Sequence, residues 1–234
     1  MLVYEPFFAD FGPLNMGQTY RYCRLLEKYL GEPKLAKKRI VHYTSNEAQP
    51  RHNAAVLMCL FQVIVQKKSA DEACRCFQGI SPGFLPFRDA TSGMCTYQMT
   101  AIDVAKGVEK AIQLGWFDYH NFDCEEYDYL ERVENGDMAW IVPNKFLAFA
   151  GPHSRLVDEH GFPVFTPEKY VPYFQRSGIT MVIRLNNKMY DRDRFTRHGL
   201  KHVDLYFVDG SCPSAEIVQR FFELTLKEPG PAHL

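Results

Sequence analysis

From Thr166 to Lys227 the chain repeats one alternation, and that rhythm constrains its fold more than any other feature. Thr166-Pro167-Glu168 starts a helix, with proline at the first helical position, where its missing N–H is no loss. Ser177-Gly178 stops that helix, and the β-branched run "ITMVIRLN" reads as a strand. "YDRDRFTRHG" is a helix ending at Gly199, "LKHVDLYFVDG" is the next strand, and a last helix runs from about Pro213 to Lys227. Repeated strand–helix units bury both strand faces when the strands run parallel and helices cover them. A mainly parallel α/β sheet is therefore expected.

The first half mixes helical and strand signals. Tyr20, Cys23, Leu26 and Leu30 recur near helical spacing until Gly31-Glu32-Pro33 ends the run. "KKRIVHYT" (37–44) predicts a short strand, followed by a polar loop and a helix from Arg51 to about Lys67. In "SADEACRCFQG" Ser69 is a helix cap and Glu72 completes a capping box. "GFLPFRDA" predicts an extended loop, and "TAIDVAKGVEKAIQLGW" an amphipathic helix ending near Gly115. Between Asp118 and Asp137 the composition changes: eight acids accompany a single arginine, Arg132. Asn135-Gly136 supplies a stop, after which "MAWIVPNKFLAFAGP" resumes strand-like character. A domain boundary is expected there, dividing the chain into 1–136 and 137–234.

Composition narrows the function classes. A chain of 234 residues with 46% hydrophobic and 24% charged residues is globular, with room for one large or two small domains. A net charge of −1 gives the whole molecule no pull toward nucleic acid or an anionic membrane. The longest apolar stretch, "AAVLMCLFQVIV", is too short to span a bilayer, and the N-terminus does not read as a signal peptide. Nucleus or cytoplasm is the expected compartment. Seven scattered cysteines include Cys74-Arg75-Cys76 but no C-x-x-C pair, so free thiols are expected rather than zinc or disulfides. Eight histidines show no metal-binding spacing. No metal or other cofactor is expected.

Four sets of residues invite chemistry. The first is "VHYTSNEAQPRHNAAVLM", a strand–loop–helix unit of the kind that binds phosphate on free backbone N–H groups. Tyr43 stands where a cysteine-dependent phosphatase needs its thiolate, and Arg51 is the candidate anion-gripping residue. A tyrosine cannot supply that nucleophile, so a structural unit is the expected reading. Asp209 forms the second set: its strand delivers an acid into an Asp-Gly turn, a placement suited to general-acid work. Taken alone, Asp-Gly is an ordinary turn dipeptide. Third, Glu125, Asp128 and Glu131 recur every third residue and share one side of a helix. They read as a solvated face or as an attractor for a basic peptide. "HSRLVDEHG" has the residue types of a hydrolase triad without any geometry behind them.

A resemblance raises the weight of these residues. "ADFGPLNMGQTYRYCRLLEKYL", "KKRIVHYT", "PFRDA", "ENGDMAWIVP", "FLAFAGPHSR", "VIRLNNKMYDRDRFTRHG" and "YFVDGSCPSAEIVQRF" together resemble cell-cycle dual-specificity protein phosphatases of the CDC14 type. The similarity is collinear and runs nearly end to end. It implies tandem dual-specificity-phosphatase-like α/β domains joined by a linker helix, the first without a catalytic cysteine. It also implies a protein tyrosine and serine phosphatase that works through a cysteinyl-phosphate without metal. By the same resemblance Asp209 is the general acid. Asp128, Glu131 and Asp137 form an acidic groove for phosphoproteins with Ser-Pro sites followed by a basic residue. "VHYT" looks like an echo of the family's V-H-C loop.

One departure stands out. The family carries H-C-x5-R within a few residues of the turn matching "EPGP", whereas this sequence continues only "AHL". The second domain is therefore expected to be incomplete and the chain, as a fragment, inactive. The strand that follows this turn in the family, in the middle of the sheet, is expected to be absent here together with the helices that cover it, so that apolar edges and faces would lie uncovered. A pseudophosphatase or phosphoprotein-binding module is the alternative.

Overall fold

The computed structural model describes residues 2–90, 93–95, 97–157, 161–209 and 211–228, together with the backbone of 232–233. Two compact units emerge, Met1–Cys124 and Glu125–Leu234. By contacts the division falls after the first residue of the acidic helix, some twelve residues ahead of Gly136. Leu130 on that helix explains the difference, because it is buried in the core of the second unit.

Unit 1 is built from α1 (Met16–Gly31), α2 (Ala48–Ile64), α3 (Ala70–Cys74) and α4 (Ala101–Gln113). Asn15 caps α1 by accepting a hydrogen bond from Gln18 N. The capping box expected at Ser69 is present: Ser69 N donates to Glu72 and Glu72 N donates to Ser69 Oγ. A second box joins Thr100 and Asp103 at the start of α4. Helix α2 fills the centre, with Val56, Leu60, Phe61 and Ile64 buried against α1, α3 and α4. His52 is stacked against Phe84 and Phe87, which leaves it little access to water and lowers its pKa.

The strand expected over residues 37–44 does not form. Those residues are irregular, with Val41 and Tyr43 largely exposed. No neighbouring strand among the described residues offers its backbone a ladder, and β-branched residues alone do not make a strand. What holds the segment is His42, whose two ring nitrogens each lie 3.1 Å from a partner, Tyr22 Oη and Ala54 O.

Unit 2 begins with α5 (Cys124–Glu131), whose first residue belongs to unit 1, and the antiparallel pair β1 (Met138–Val142) and β2 (Phe146–Phe149). The expected alternation follows: α6 (Pro167–Arg176), β3 (Met181–Arg184), α7 (Asp193–Thr196), β4 (Lys201–Asp204) and α8 (Ala215–Lys227). The strand order is β1-β2-β5-β3-β4, and all pairings but the first are parallel. The central strand, expected to be absent, is present as the two-residue β5, Ala232–His233, because its backbone finds a partner on either side. It hydrogen-bonds in parallel to β2 on one side and β3 on the other.

Strand β3 shows why the sheet needs two helical layers. Val182 packs with Tyr170 and Phe174 of α6 and Phe195 of α7. Met181 and Ile183 pack on Ile217, Phe221 and Leu224 of α8. Alternate residues thus serve opposite cores, as the two-residue period of a strand requires. Helix α8 buries only that one flank. Val218, Phe222 and Leu226 remain exposed as an apolar strip along the helix.

Candidate functional site

The acidic residues are set by a helix and the turn that ends it. Helix α5 turns Leu130 into the core, which leaves Asp128 and Glu131 half-buried. Tyr127 Oη donates a hydrogen bond to Glu131, one helical turn away. Asn135 Nδ2 donates to Tyr129 O at 2.8 Å and satisfies a carbonyl near the end of α5. The backbone then passes through the left-handed region at Gly136 (φ 111°) and Asp137 (φ 49°). Asp137 is fastened by its backbone: its N–H donates to Arg132 O, and its carbonyl accepts from Ala150 N. Partial desolvation raises the pKa of its carboxyl.

Asp209 is positioned by the sheet. Beyond β4 the chain stays beside the β3 strand, with Leu205 N donating to Arg184 O and Phe207 N to Leu185 O. It then leaves in a turn closed by Ser211 N donating to Val208 O. Asp209 is exposed in that turn; Gly210 lies outside the described residues. This is the carboxyl end of the parallel strands, where open α/β sheets bind ligands. Among the described residues no hydrogen bond or ion pair joins Asp209 to Asp128, Glu131 or Asp137. All four belong to unit 2.

The candidate loop of unit 1 is structural in its contacts. Arg51 donates to the carbonyls of Pro82 and Gly83, and its guanidinium lies 5.0 Å from the centre of the Phe84 ring. Those bonds occupy the cation that a bound phosphate would need. Asp158 and His160 of "HSRLVDEHG" lie outside the described residues. Among the described residues no cluster of three or more His, Cys, Asp or Glu could hold a metal, and no helix is long and apolar enough to cross a membrane.

Reading the sequence missed one cluster at the strand ends. Arg184 ends β3 and Asp204 ends β4, in direct register, and Arg184 Nη2 lies 2.7 Å from Asp204 Oδ1. Arg184 also donates to Tyr190 O at 2.8 Å and stacks over the Tyr190 ring. Tyr190 Oη lies 2.8 Å from His202 Nε2, and the imidazole is fully buried. Burial, reinforced by Arg184, lowers the His202 pKa to about 4. The available signal was a charge closing each of two adjacent strands, "MVIR" and "KHVD". Both guanidinium and imidazole are committed to structure, so neither is offered to a ligand.

Comparison with known proteins now bears on these placements. Residues 1–111 match the family "Dual specificity protein phosphatase, N-terminal half". The chain is 51% identical over 224 residues to mouse dual specificity protein phosphatase CDC14A, an alignment covering 95% of this chain and 37% of the relative. This chain is a homologue of the CDC14-type dual specificity phosphatases. Human CDC14A is also 51% identical over 224 residues, covering 95% of this chain and 38% of the relative. The Caenorhabditis elegans tyrosine-protein phosphatase cdc-14 is 40% identical over 227 residues, covering 94% and 32%. The chain thus spans about a third of the length of these CDC14-type relatives.

Proposed function

We propose that this chain is part of a dual-specificity protein phosphatase built as tandem phosphatase-like domains, with 1–136 as the first, including its acidic linker helix, and 137–234 as the beginning of the second. The observation that carries this reading is the collinear 51% identity to CDC14A across 95% of the chain. In it Asp209 is the general acid: at the carboxyl end of the parallel strands, on an exposed turn, it would protonate the leaving oxygen of a phosphoester. A positioned acid accelerates such a step by about 10² to 10⁴. The larger share of the chemistry belongs to a thiolate nucleophile and an arginine gripping the phosphoryl oxygens, supplied in this family by H-C-x5-R. No H-C-x5-R occurs within the 234 residues.

Asp128, Glu131 and Asp137 are the proposed attractors for a basic residue next to the phosphosite, with phosphoserine-proline and phosphotyrosine proteins as substrates. The purified 234-residue chain is therefore expected to give no hydrolysis of p-nitrophenyl phosphate above blank. Hydrolysis that disappears in Asp209→Asn would sink this reading.

A second reading is phosphoprotein binding without turnover. Its support is that Asp128 and Glu131 sit on a formed helix anchored in the core through Leu130. Titration with a phosphoserine-proline-x-lysine peptide separates the two. Micromolar binding weakened by Asp128→Asn and Glu131→Gln supports the binding module, and absence of binding removes it.

A further inference from the structure

The stretch that follows α1 gathers charge that the molecular total conceals. Six cations and only two acids fall between Arg24 and Arg39, whereas the whole chain carries a net charge of −1. Both acids are engaged. Glu27 accepts from Tyr119 Oη and lies 3.6 Å from Arg24 Nη1, and Glu32 accepts from Lys34 N at 3.4 Å. Lys28, Lys34, Lys37, Lys38 and Arg39 are all exposed. A charged lipid surface acts on groups within about 8 Å of it at physiological salt, so the local patch counts and the molecular sum does not.

Local geometry draws these cations onto one flank of unit 1. Helix α1 ends at Gly31, a 3-10 turn over Pro33–Leu35 follows, and Lys38 N donates to Leu35 O at 2.8 Å. The chain then runs back along α1: His42 Nδ1 lies 3.1 Å from Tyr22 Oη, about 13 Å before the helix end at the α-helical rise. Leu25 and Tyr29 follow Tyr22 at helical spacing, on the flank that the returning segment meets, and each is nearly half exposed. On the segment itself Val41 is 69% and Tyr43 87% exposed. Exposed aliphatic and aromatic groups are thus interspersed with the cations.

We propose that this flank of unit 1 docks on an anionic lipid bilayer, its cations at the headgroups and Leu25, Tyr29, Val41 and Tyr43 at the boundary with the acyl chains. The aliphatic members decide between polyanions. A nucleic acid favours cations and stacking aromatic rings, but Leu25 and Val41 gain nothing against phosphate or sugar. At a bilayer both kinds of side chain are stabilised, the charged ones by the surface potential and the apolar ones by leaving water. Tyrosine suits that interface, because its ring is apolar and its hydroxyl stays wet. The attachment is peripheral and reversible, and it is independent of the phosphatase reading.

The 234-residue chain is sedimented with vesicles of phosphatidylcholine alone and of phosphatidylcholine with about one-third phosphatidylserine. The expected result is binding to the anionic vesicles only, falling as salt rises, and weakened at least about tenfold in the triple variant Lys37→Gln, Lys38→Gln, Arg39→Gln. The double variant Val41→Ser, Tyr43→Ser also lowers binding but leaves its salt dependence as it was. Leu226→Glu, on the apolar strip of α8, leaves binding unchanged. All these side chains are exposed, and matching circular dichroism spectra keep unfolding out of the comparison. No sedimentation with anionic vesicles, full binding by the triple or the double variant, or an equal loss in Leu226→Glu overturns the proposal. Tighter binding of oligothymidylate than of vesicles overturns it in favour of single-stranded nucleic acid, and tighter binding of polyglutamate in favour of an acidic protein.

Discussion

Arg184 and Asp204 close neighbouring parallel strands and meet at 2.7 Å, with the arginine side chain 4% exposed and the aspartate 46%. That asymmetry decides what each contributes. The guanidinium has lost its water and depends on Asp204, the Tyr190 carbonyl and the Tyr190 ring, whereas the carboxylate keeps half of its hydration. Removing one member of a fully buried pair costs about 3 to 5 kcal/mol. For Asp204→Ala the expected loss is smaller, about 1 to 3 kcal/mol, because water reaches the partner being removed. Urea unfolding of the two proteins measures it. A midpoint unchanged from wild type would show that Arg184 needs no counter-charge.

His202 makes unit 2 sensitive to mild acid. Its folded pKa is near 4 and its unfolded value about 6.5, so the unfolded chain binds the proton first as pH falls. Stability is complete above about pH 6.5, declines between there and about pH 4, and loses at most about 3 kcal/mol to this group. Glu168 acts in a separate window. Its hydrogen bond from Arg194 lowers its pKa to about 2, so its contribution is lost only from the ordinary carboxylate range downward. Thermal melting from pH 7 to pH 4.5 is expected to show a falling midpoint that flattens in His202→Gln. A parallel slope in the variant would assign the effect elsewhere.

Gly136 is predicted to tolerate no side chain. Its φ of 111° suits glycine alone, and an added Cβ would lie 2.7 Å from Tyr170 Cε1 and 3.1 Å from Phe165 Cε2. Tyr170 cannot easily move, since its single hydroxyl proton is shared between Gly136 O at 2.9 Å and Ala150 O at 3.1 Å. Gly136→Ala is expected to cost about 2 to 4 kcal/mol through backbone strain and overpacking together. Gly31→Ala, at a helix end with open space around it, serves as the control and should stay within about 0.5 kcal/mol. Equal effects in the two variants would contradict the clash.

The outward flank of α8 should govern solubility. Leu226 is 78% exposed, and Phe222 and Val218 extend the same apolar strip. Leu226→Glu is expected to change stability by no more than about 0.5 kcal/mol while lowering light scattering of concentrated protein. Scattering that is indifferent to the substitution would place the sticky surface elsewhere.

How much could be read beforehand follows from the range of the interactions involved. Short-range chemistry was legible: the Ser69–Glu72 capping box, Pro167 at a helix start, Gly199 at a helix end, and the strand–helix alternation after Thr166 depend on neighbours within a few residues. The strand expected at 37–44 failed because a strand requires a partner, and partners are chosen by the whole fold. Asp209 could be named as a candidate from its turn and from the family resemblance. Its exposed place beyond β4 comes from pairing with the strand that precedes it by more than twenty residues.

The Arg184–Asp204–Tyr190–His202 cluster could not have been found by spacing at all. Two four-residue strands had to align in register before an arginine and an aspartate twenty positions apart became a pair. Likewise, Cys59 reaches the Ala73 carbonyl, fourteen positions on, only because α2 and α3 pack. The sequence by itself determined most of the helices, the strand–helix alternation after Thr166 and the kinship with CDC14-type phosphatases. Tertiary structure alone decided which charges lost their water, because burial and contact between distant residues exist only once the helices and sheet have packed.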